Sequence, residues 1–253
     1  MRSLLLYLGI VVLCTGQTNG DHPYSRFSKW RQESANSGLK WEQAIENYSR
    51  RLKTEGLSDS DITKTISIIS SHDEASLYDP IYKAAPKFET APNRLLVEAI
   101  RNRRPGKALD VGMGQGRNTI YLAQRGWQVT GFDVSQAGLE EARKQAASSG
   151  ITIQAVHASD EEFEFGTEQW DLIAILYPIE KRSVFRVRQA LRKGGVVVVE
   201  CAHKEGANDS YAYDTNELLK IFEGFRIVKY EDTVAMHEWA RKELRMVKLI
   251  AEK

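Results

Sequence analysis

Apolar residues recur at the spacing of a helix in the first third of the chain. In residues 39–52 they fall three, four, seven and eleven positions after the first and share one face: Trp41, Ala44, Ile45, Tyr48 and Leu52. A second stretch repeats the pattern with Ile62, Ile66 and Ile69. Together they predict a helical hairpin, which either packs on the rest of the protein or covers its active site. The polar residues 21–38 predict a linker, and residues 78–82 predict a loop.

Beyond residue 90, short apolar runs alternate with helical stretches, as is typical of an α/β domain. Strands are predicted at residues 107–111, 128–134, 151–158, 170–176, 196–200, 225–230 and 245–251. Helices are predicted at residues 90–100, where Thr90 is the capping residue, and at residues 118–125, 136–148, 180–192 and 214–222. This order predicts a doubly wound sheet in residues 90–253, mostly parallel with a C-terminal antiparallel hairpin strand. The helical hairpin is then a small N-terminal helical appendage.

The strongest local motif is a glycine-rich run between the first of these strands and the helix that follows it. It reads Leu109-Asp110-Val111-Gly112-Met113-Gly114-Gln115-Gly116-Arg117-Asn118. Glycine at such a turn lets backbone amides approach a ligand closely. The next strand ends at Asp133, about twenty residues further on, where a carboxylate can accept hydrogen bonds from both hydroxyls of a ribose. The pair predicts an adenosine-containing cofactor.

The spacing of the glycines distinguishes two classes of cofactor. Loops that bind NAD read G-x-G-x-x-G, whereas Gly112, Gly114 and Gly116 alternate and Arg117 takes the place of the third glycine. Asp110 also precedes the loop, and a carboxylate there disfavours a diphosphate but suits a cation. S-adenosylmethionine carries a sulfonium and an ammonium group, so it fits these residues better than NAD does.

At these residues the chain resembles the class I S-adenosylmethionine-dependent methyltransferases, from about residue 90 to residue 253. Further matching runs are residues 122–126, 130–135, 170–173 and 191–195, the last with Lys193 where proline is usual. Within the superfamily it most resembles the small-molecule branch that includes tellurite-resistance and thiopurine-type enzymes. The resemblance implies a Rossmann-like fold and S-adenosylmethionine as the cofactor.

The resemblance also implies roles for individual residues. Gly112, Met113 and Gly114 would line the methionine part of the cofactor, and Asp133 would hold its ribose. Ser159 or Asp160 would lie near the adenine, with Asp160 favoured, and Leu176 and Tyr177 would face the reactive methyl group. The residues predicted to contact the cofactor are Asp110, Gly112, Met113, Gly114, Gly116, Asn118, Asp133, Val134, Ser159, Asp160 and Leu176.

Methyl transfer requires alignment of donor and acceptor more than a catalytic side chain, and a base is needed only if the acceptor loses a proton. The candidate bases are Tyr177, Glu200 and His203, with Cys201 beside them. Tyr78 and Tyr82, in the predicted loop, are further candidate bases, and His237 and Trp239 are candidates for shaping the acceptor pocket.

The composition and net charge limit which molecules the protein is expected to bind. The formal net charge of +1 gives no strong attraction to nucleic acid, so a small-molecule acceptor is favoured. Two cysteines and five scattered histidines show no metal-ligand spacing, and no metal is predicted. Two alternatives remain: a non-catalytic S-adenosylmethionine-binding protein and an NAD-linked oxidoreductase.

The first twenty residues resemble a secretory leader. Arg2 precedes an apolar run at residues 4–13, and small residues follow it. This pattern predicts an exported, periplasmic or secreted protein. The alternatives are an uncleaved membrane tether through residues 4–13 and a cytoplasmic protein.

Overall fold

The computed structural model describes residues 23–33, 36, 39, 41–84, 90–160, 162–176, 181–205, 212–238 and 242–253. The chain divides into two compact units, Met1–Glu74 and Ala75–Lys253. Within the described residues, no helix combines the length and the apolar character that crossing a bilayer requires. Residues 1–20 lie outside the described part, so the leader stays a prediction.

Three helices begin the described chain: α1 at Pro23–Gln32, α2 at Trp41–Thr54 and α3 at Asp59–Lys83. The helices α2 and α3 are the pair that the apolar spacing predicts. Helix α1, in contrast, lies where a linker is expected. Its composition is polar, but two of its three aromatic residues, Phe27 and Trp30, are buried against Tyr48, with ring centroids 5.1 and 5.0 Å away. These ring contacts stabilise a helix that its local pattern does not indicate.

Residues 78–82, for which a loop is expected, form the last turns of α3. Pro80 lies inside this helix, and its carbonyl still accepts a hydrogen bond from the amide of Ala84 at 3.0 Å. The compact second unit also begins at residue 75 and not at residue 90. The reason is that these turns contact the functional site, as described below.

The second unit contains a seven-stranded sheet of order β3-β2-β1-β4-β5-β7-β6. Its strands are β1 Lys107–Val111, β2 Gln128–Asp133, β3 Gln154–His157, β4 Trp170–Ile175, β5 Leu191–Ala202, β6 Arg226–His237 and β7 Lys242–Glu252. Its remaining helices are α4 Arg94–Ile100, α5 Arg117–Gln124, α6 Gln136–Ser148, α7 Lys181–Ala190 and α8 Glu217–Ile221. Strands β1 to β5 pair in parallel, and β7 is antiparallel to both β5 and β6. The predicted doubly wound sheet is confirmed.

Strand alternation sends the side chains of each central strand into two separate cores. In β4, Leu172 and Ala174 pack towards α4 and α5, whereas Ile173 and Ile175 pack towards α7 and α8. The four valines 196–199 of β5 divide between the same two cores. Such two-sided burial explains why these strands read as continuous apolar runs.

Two predicted boundaries are wrong in an informative way. Helix α4 is capped by Asn93 and not by Thr90, because the Asn93 side chain accepts from the amides of Leu95 and Leu96 at 2.9 and 3.2 Å. The final hairpin is also longer than expected, since β6 and β7 stay paired as far as His237 and Lys242. Cross-strand pairing there does not depend on an apolar pattern.

The sheet order reverses between β1 and β4, because β2 continues from one side of this pair and β5 from the other. In open α/β sheets, ligands bind outside the carboxyl ends of the strands at such a reversal. The glycine-rich run follows β1 at this edge.

Candidate active site

The chain turns from β1 into α5 through three glycines in the left-handed region. Their φ angles are +67° at Gly112, +50° at Gly114 and +82° at Gly116. Residues other than glycine adopt this backbone conformation only at a cost in free energy. The amide of Met113 donates to the carbonyl of Phe132 at 3.0 Å and so ties the loop to the end of β2.

Two of these glycines have different surroundings. A Cβ atom at Gly116 would lie 2.9 Å from the Cβ of Ala142, so the loop packs tightly on α6. A Cβ atom at Gly112 would meet no atom within 4 Å. Gly116 therefore serves packing, while the backbone at Gly112 is open to a ligand.

The carboxylate of Asp133 links the end of β2 to the loop. Its Oδ2 accepts from the amide of Gly114 at 2.7 Å, and its Oδ1 accepts from the amide of Ser135 at 2.8 Å. Burial raises the pKa of Asp133, and the two amide bonds oppose that rise. Since a carboxylate has about four acceptor positions, both oxygens can still accept from a ligand. The side chain is held ready to bind a pair of hydroxyl groups.

Asp110 lies beneath the loop and is buried. Its Oδ2 accepts from the Thr119 hydroxyl at 2.7 Å, which connects β1 to α5. Burial raises the pKa of Asp110 to about 6, although the bond from Thr119 opposes the rise. A cation bound above the loop would be stabilised by this carboxylate.

Replacement of Asp110 by asparagine is expected to change how the free energy of unfolding depends on pH. The folded-state pKa of about 6 lies above the ordinary 3.8, so ionised Asp110 destabilises the fold as pH rises through 6. We expect the stability of the variant relative to the natural protein to grow by about 2 kcal/mol between pH 4 and pH 7.5, most of it below pH 6.5. Urea unfolding at several pH values measures this difference. A difference independent of pH would contradict the expectation.

The last turn of α3 contributes two residues to the site. Asp79 Oδ1 accepts from the Ser135 hydroxyl at 2.6 Å and from the amide of Ala137 at 3.1 Å. The hydroxyl of Tyr82 lies 2.5 Å from the position of a Cβ on Gly114. Tyr82, one of the candidate bases, is thus placed against the glycine loop. No sequence spacing pointed to Asp79, because it acts across 56 residues.

Ser159 and Asp160, the two residues predicted to lie near the adenine, differ in whether their side chains already have a hydrogen-bond partner. The amide and hydroxyl of Ser159 both donate to Glu162 Oε2, at 3.0 and 2.9 Å. Among the described residues, Asp160 Oδ2 is buried and has no hydrogen-bond partner. Such an oxygen is suited to the amino group of an adenine, since an unpaired buried acceptor is costly. The carbonyl of Val134, another predicted cofactor contact, lies 2.9 Å from His157 Nε2.

The candidate bases on β5 point to different sides of the sheet. Glu200 is buried on the α4 side, where its Oε2 accepts from Asn93 Nδ2 at 3.0 Å and its Oε1 lies 3.6 Å from Lys248 Nζ. Cys201 is buried on the α7 side, because neighbouring residues of a strand alternate. The structure therefore does not bring Glu200 and Cys201 together.

His203 has protein partners at both ring nitrogens. Nδ1 accepts from the amide of Glu205 at 3.1 Å, and Nε2 lies 3.1 Å from the Thr215 hydroxyl. This engagement favours a structural role for His203. Tyr177 and Trp239 lie outside the described residues, so their roles stay predictions. Leu176, the remaining predicted contact after β4, is buried in the core beside α4 and α5.

Comparisons with known proteins agree with this geometry. Residues 108–195, from β1 to the early part of β5, match the family described as a methyltransferase domain. The chain is 37% identical over 90 residues to a ubiquinone biosynthesis O-methyltransferase of Pasteurella multocida, a match that covers 35% of this chain and 37% of that protein. The chain spans less than two thirds of the length of the curated relatives that it matches.

Two solved structures share the fold. TehB from Haemophilus influenzae has a TM-score of 0.57 at 19% identity, covering 65% of this chain and 63% of that one. A Burkholderia thailandensis 1,6-didemethyltoxoflavin-N1-methyltransferase, solved with 1,6-didemethyltoxoflavin and S-adenosylhomocysteine, has a TM-score of 0.57 at 20% identity. It covers 72% of this chain and 86% of its own. These likenesses confirm the predicted Rossmann-like sheet.

Proposed function

We propose that this chain is a class I S-adenosylmethionine-dependent methyltransferase, which transfers a methyl group from S-adenosylmethionine to a small-molecule acceptor. The observation that carries the proposal is the Asp133 carboxylate, which two amides hold at the open glycine loop. The names of relatives support a small acceptor, since they include ubiquinone biosynthesis and toxoflavin methyltransferases.

The residues present fit this cofactor at three points. The open backbone at Gly112 leaves room for its methionine part. Asp133 offers free acceptor positions to the two ribose hydroxyls. Asp160 Oδ2 offers the adenine amino group a buried acceptor. NAD is less well suited, because buried Asp110 places a carboxyl group beneath the loop where a diphosphate would lie.

When bound, the cofactor supplies a methyl carbon attached to a positively charged sulfur. The acceptor's lone pair forms the new bond to that carbon, while the electrons of the sulfur–carbon bond remain on sulfur. The chain's part is to hold the two reactants in line and to exclude water. Glu200, buried on the α4 side, is the candidate that accepts a proton if the acceptor must lose one.

Calorimetry on the full chain tests the cofactor class. We expect S-adenosylhomocysteine to bind and NADH not to bind; the reverse result would overturn the proposal in favour of an oxidoreductase. Incubation with S-adenosylmethionine and a panel of phenols, amines and thiols then tests turnover, by formation of S-adenosylhomocysteine. Binding without turnover on any acceptor would favour a non-catalytic binding protein.

A further inference from the structure

The end of the β6–β7 hairpin is bound to the helix that follows the glycine loop. Glu238 comes directly after β6, and its Oε2 lies 2.6 Å from Nη2 of Arg117, the first residue of α5. The same oxygen accepts from Asn93 Nδ2 at 3.3 Å. These contacts join positions 121 and 145 residues apart in the chain.

We call this cluster the clasp: Asn93, Arg117, Glu200 and Glu238. It is well shielded from water, since the side chains of Arg117 and Glu238 are only 9% and 25% exposed and Asn93 and Glu200 are buried. A shielded ion pair differs from a surface pair, because removal of one partner leaves the other charge without compensation. Arg117, Asn93 and Glu200 also contact residues outside the clasp.

Further hydrogen bonds hold Arg117 and Asn93 in place. Arg117 Nη1 donates to the carbonyl of Ala91 at 3.2 Å. The amide of Asn93 donates to Asn118 Oδ1 at 2.9 Å, and Asn93 Nδ2 also donates to Glu200. Asn118, predicted as a cofactor contact, therefore supports the start of α4. The clasp gives the hairpin end a rigid partner next to the cofactor loop.

The clasp reaches the side of the sheet away from most of the predicted cofactor residues. Most of those residues follow β1, β2 and β3, whereas Glu200 lies near the carboxyl end of β5, on the other side of the β1/β4 reversal. His237, the residue before Glu238, is half-buried and has Glu200 and Glu238 as neighbouring charges. His237 and Glu238 thus lie near Glu200, on the side of the β1/β4 reversal that the predicted cofactor residues leave for an acceptor.

We propose that Glu238 is a positioning residue, which through Arg117 and Asn93 holds the paired ends of β6 and β7, residues 233–238 and 242–246, beside the acceptor side of the site. This inference rests on the proposed methyltransferase function. It predicts that the affinity for the cofactor does not depend on the hairpin.

Glu238→Gln tests the proposal, with Glu243→Gln as a matched control on the exposed part of the same hairpin. Backbone amide exchange is measured on the full chain without ligand. In Glu238→Gln, amides of residues 233–237 and 242–246 should exchange faster by about tenfold, while β1 and β4 keep their rates. The control should match the natural protein. Unchanged hairpin exchange, or equal acceleration throughout the sheet, would overturn the proposal.

Ligand measurements separate positioning from general damage. The affinity of Glu238→Gln for S-adenosylhomocysteine should change by less than about threefold. With an acceptor from the panel, its KM should rise while kcat is largely kept. If S-adenosylhomocysteine does not bind the natural protein, the proposed function fails, whereas the exchange experiment still decides whether the clasp exists.

Discussion

Replacement of Asp133 by alanine is expected to weaken S-adenosylhomocysteine binding at least about tenfold, near 1.4 kcal/mol. Two losses combine. The ribose loses its acceptor, and charge-assisted bonds of that kind contribute roughly 1.5–3 kcal/mol each. The amides of Gly114 and Ser135 lose the carboxylate that now orders the loop. Calorimetric titration of the purified chain measures the change.

The control for this variant is Glu140→Ala. Glu140 is exposed on α6, and its carboxylate accepts only a surface bond from Gln136 at 2.9 Å among the contacts described there. It should bind the ligand as the natural protein does. Asp133→Asn should also bind weakly, because its amide nitrogen would face a donor at either Gly114 or Ser135. Unchanged affinity of Asp133→Ala would remove Asp133 from the site.

The second large effect is expected for Gly116→Ala, in the stability of the fold. An alanine at a φ of +82° costs about 1–2 kcal/mol in backbone strain. Its Cβ would also lie 2.9 Å from Ala142 Cβ, and such overpacking costs roughly another 1–3 kcal/mol. The free energy of unfolding in urea should therefore fall by about 2–5 kcal/mol.

Gly150→Ala is the matched control for the backbone part of this effect. Gly150 has a φ of +64°, but a Cβ there would meet no atom within 4 Å. It should lose only the strain, about 1–2 kcal/mol. Equal losses in the two variants would mean that the contact between the loop and α6 is not tight.

The sheet and the glycine loop could be predicted because the residues that determine them are close together in the sequence. The valines 196–199 identify a buried strand, and the run from Gly112 to Gly116 identifies a turn that only glycine accommodates well. Asp133 follows from its place at the end of β2. In each case, neighbouring residues in the chain are also neighbours in the structure.

The remaining features depend on partners far away in the chain. Helix α1 is stabilised by rings of α2, Asp79 acts on Ser135, and Glu238 acts on Arg117. No periodic pattern in the sequence predicts these contacts. The placement of Glu200 and Cys201 on opposite faces of the sheet, in contrast, could have been predicted from the alternation of side chains along a strand.

The position of β7 between β5 and β6 has a consequence for synthesis of the chain. Strand β6 is translated first, yet the partner with which it pairs in the sheet is β7. Until β7 emerges from the ribosome, β6 is an unpaired strand, and such strands promote aggregation. Its apolar Val234 and Met236 stay 65% and 56% exposed even in the finished fold. The charges at Glu231 and Asp232, in the middle of β6, oppose association between nascent chains during that interval.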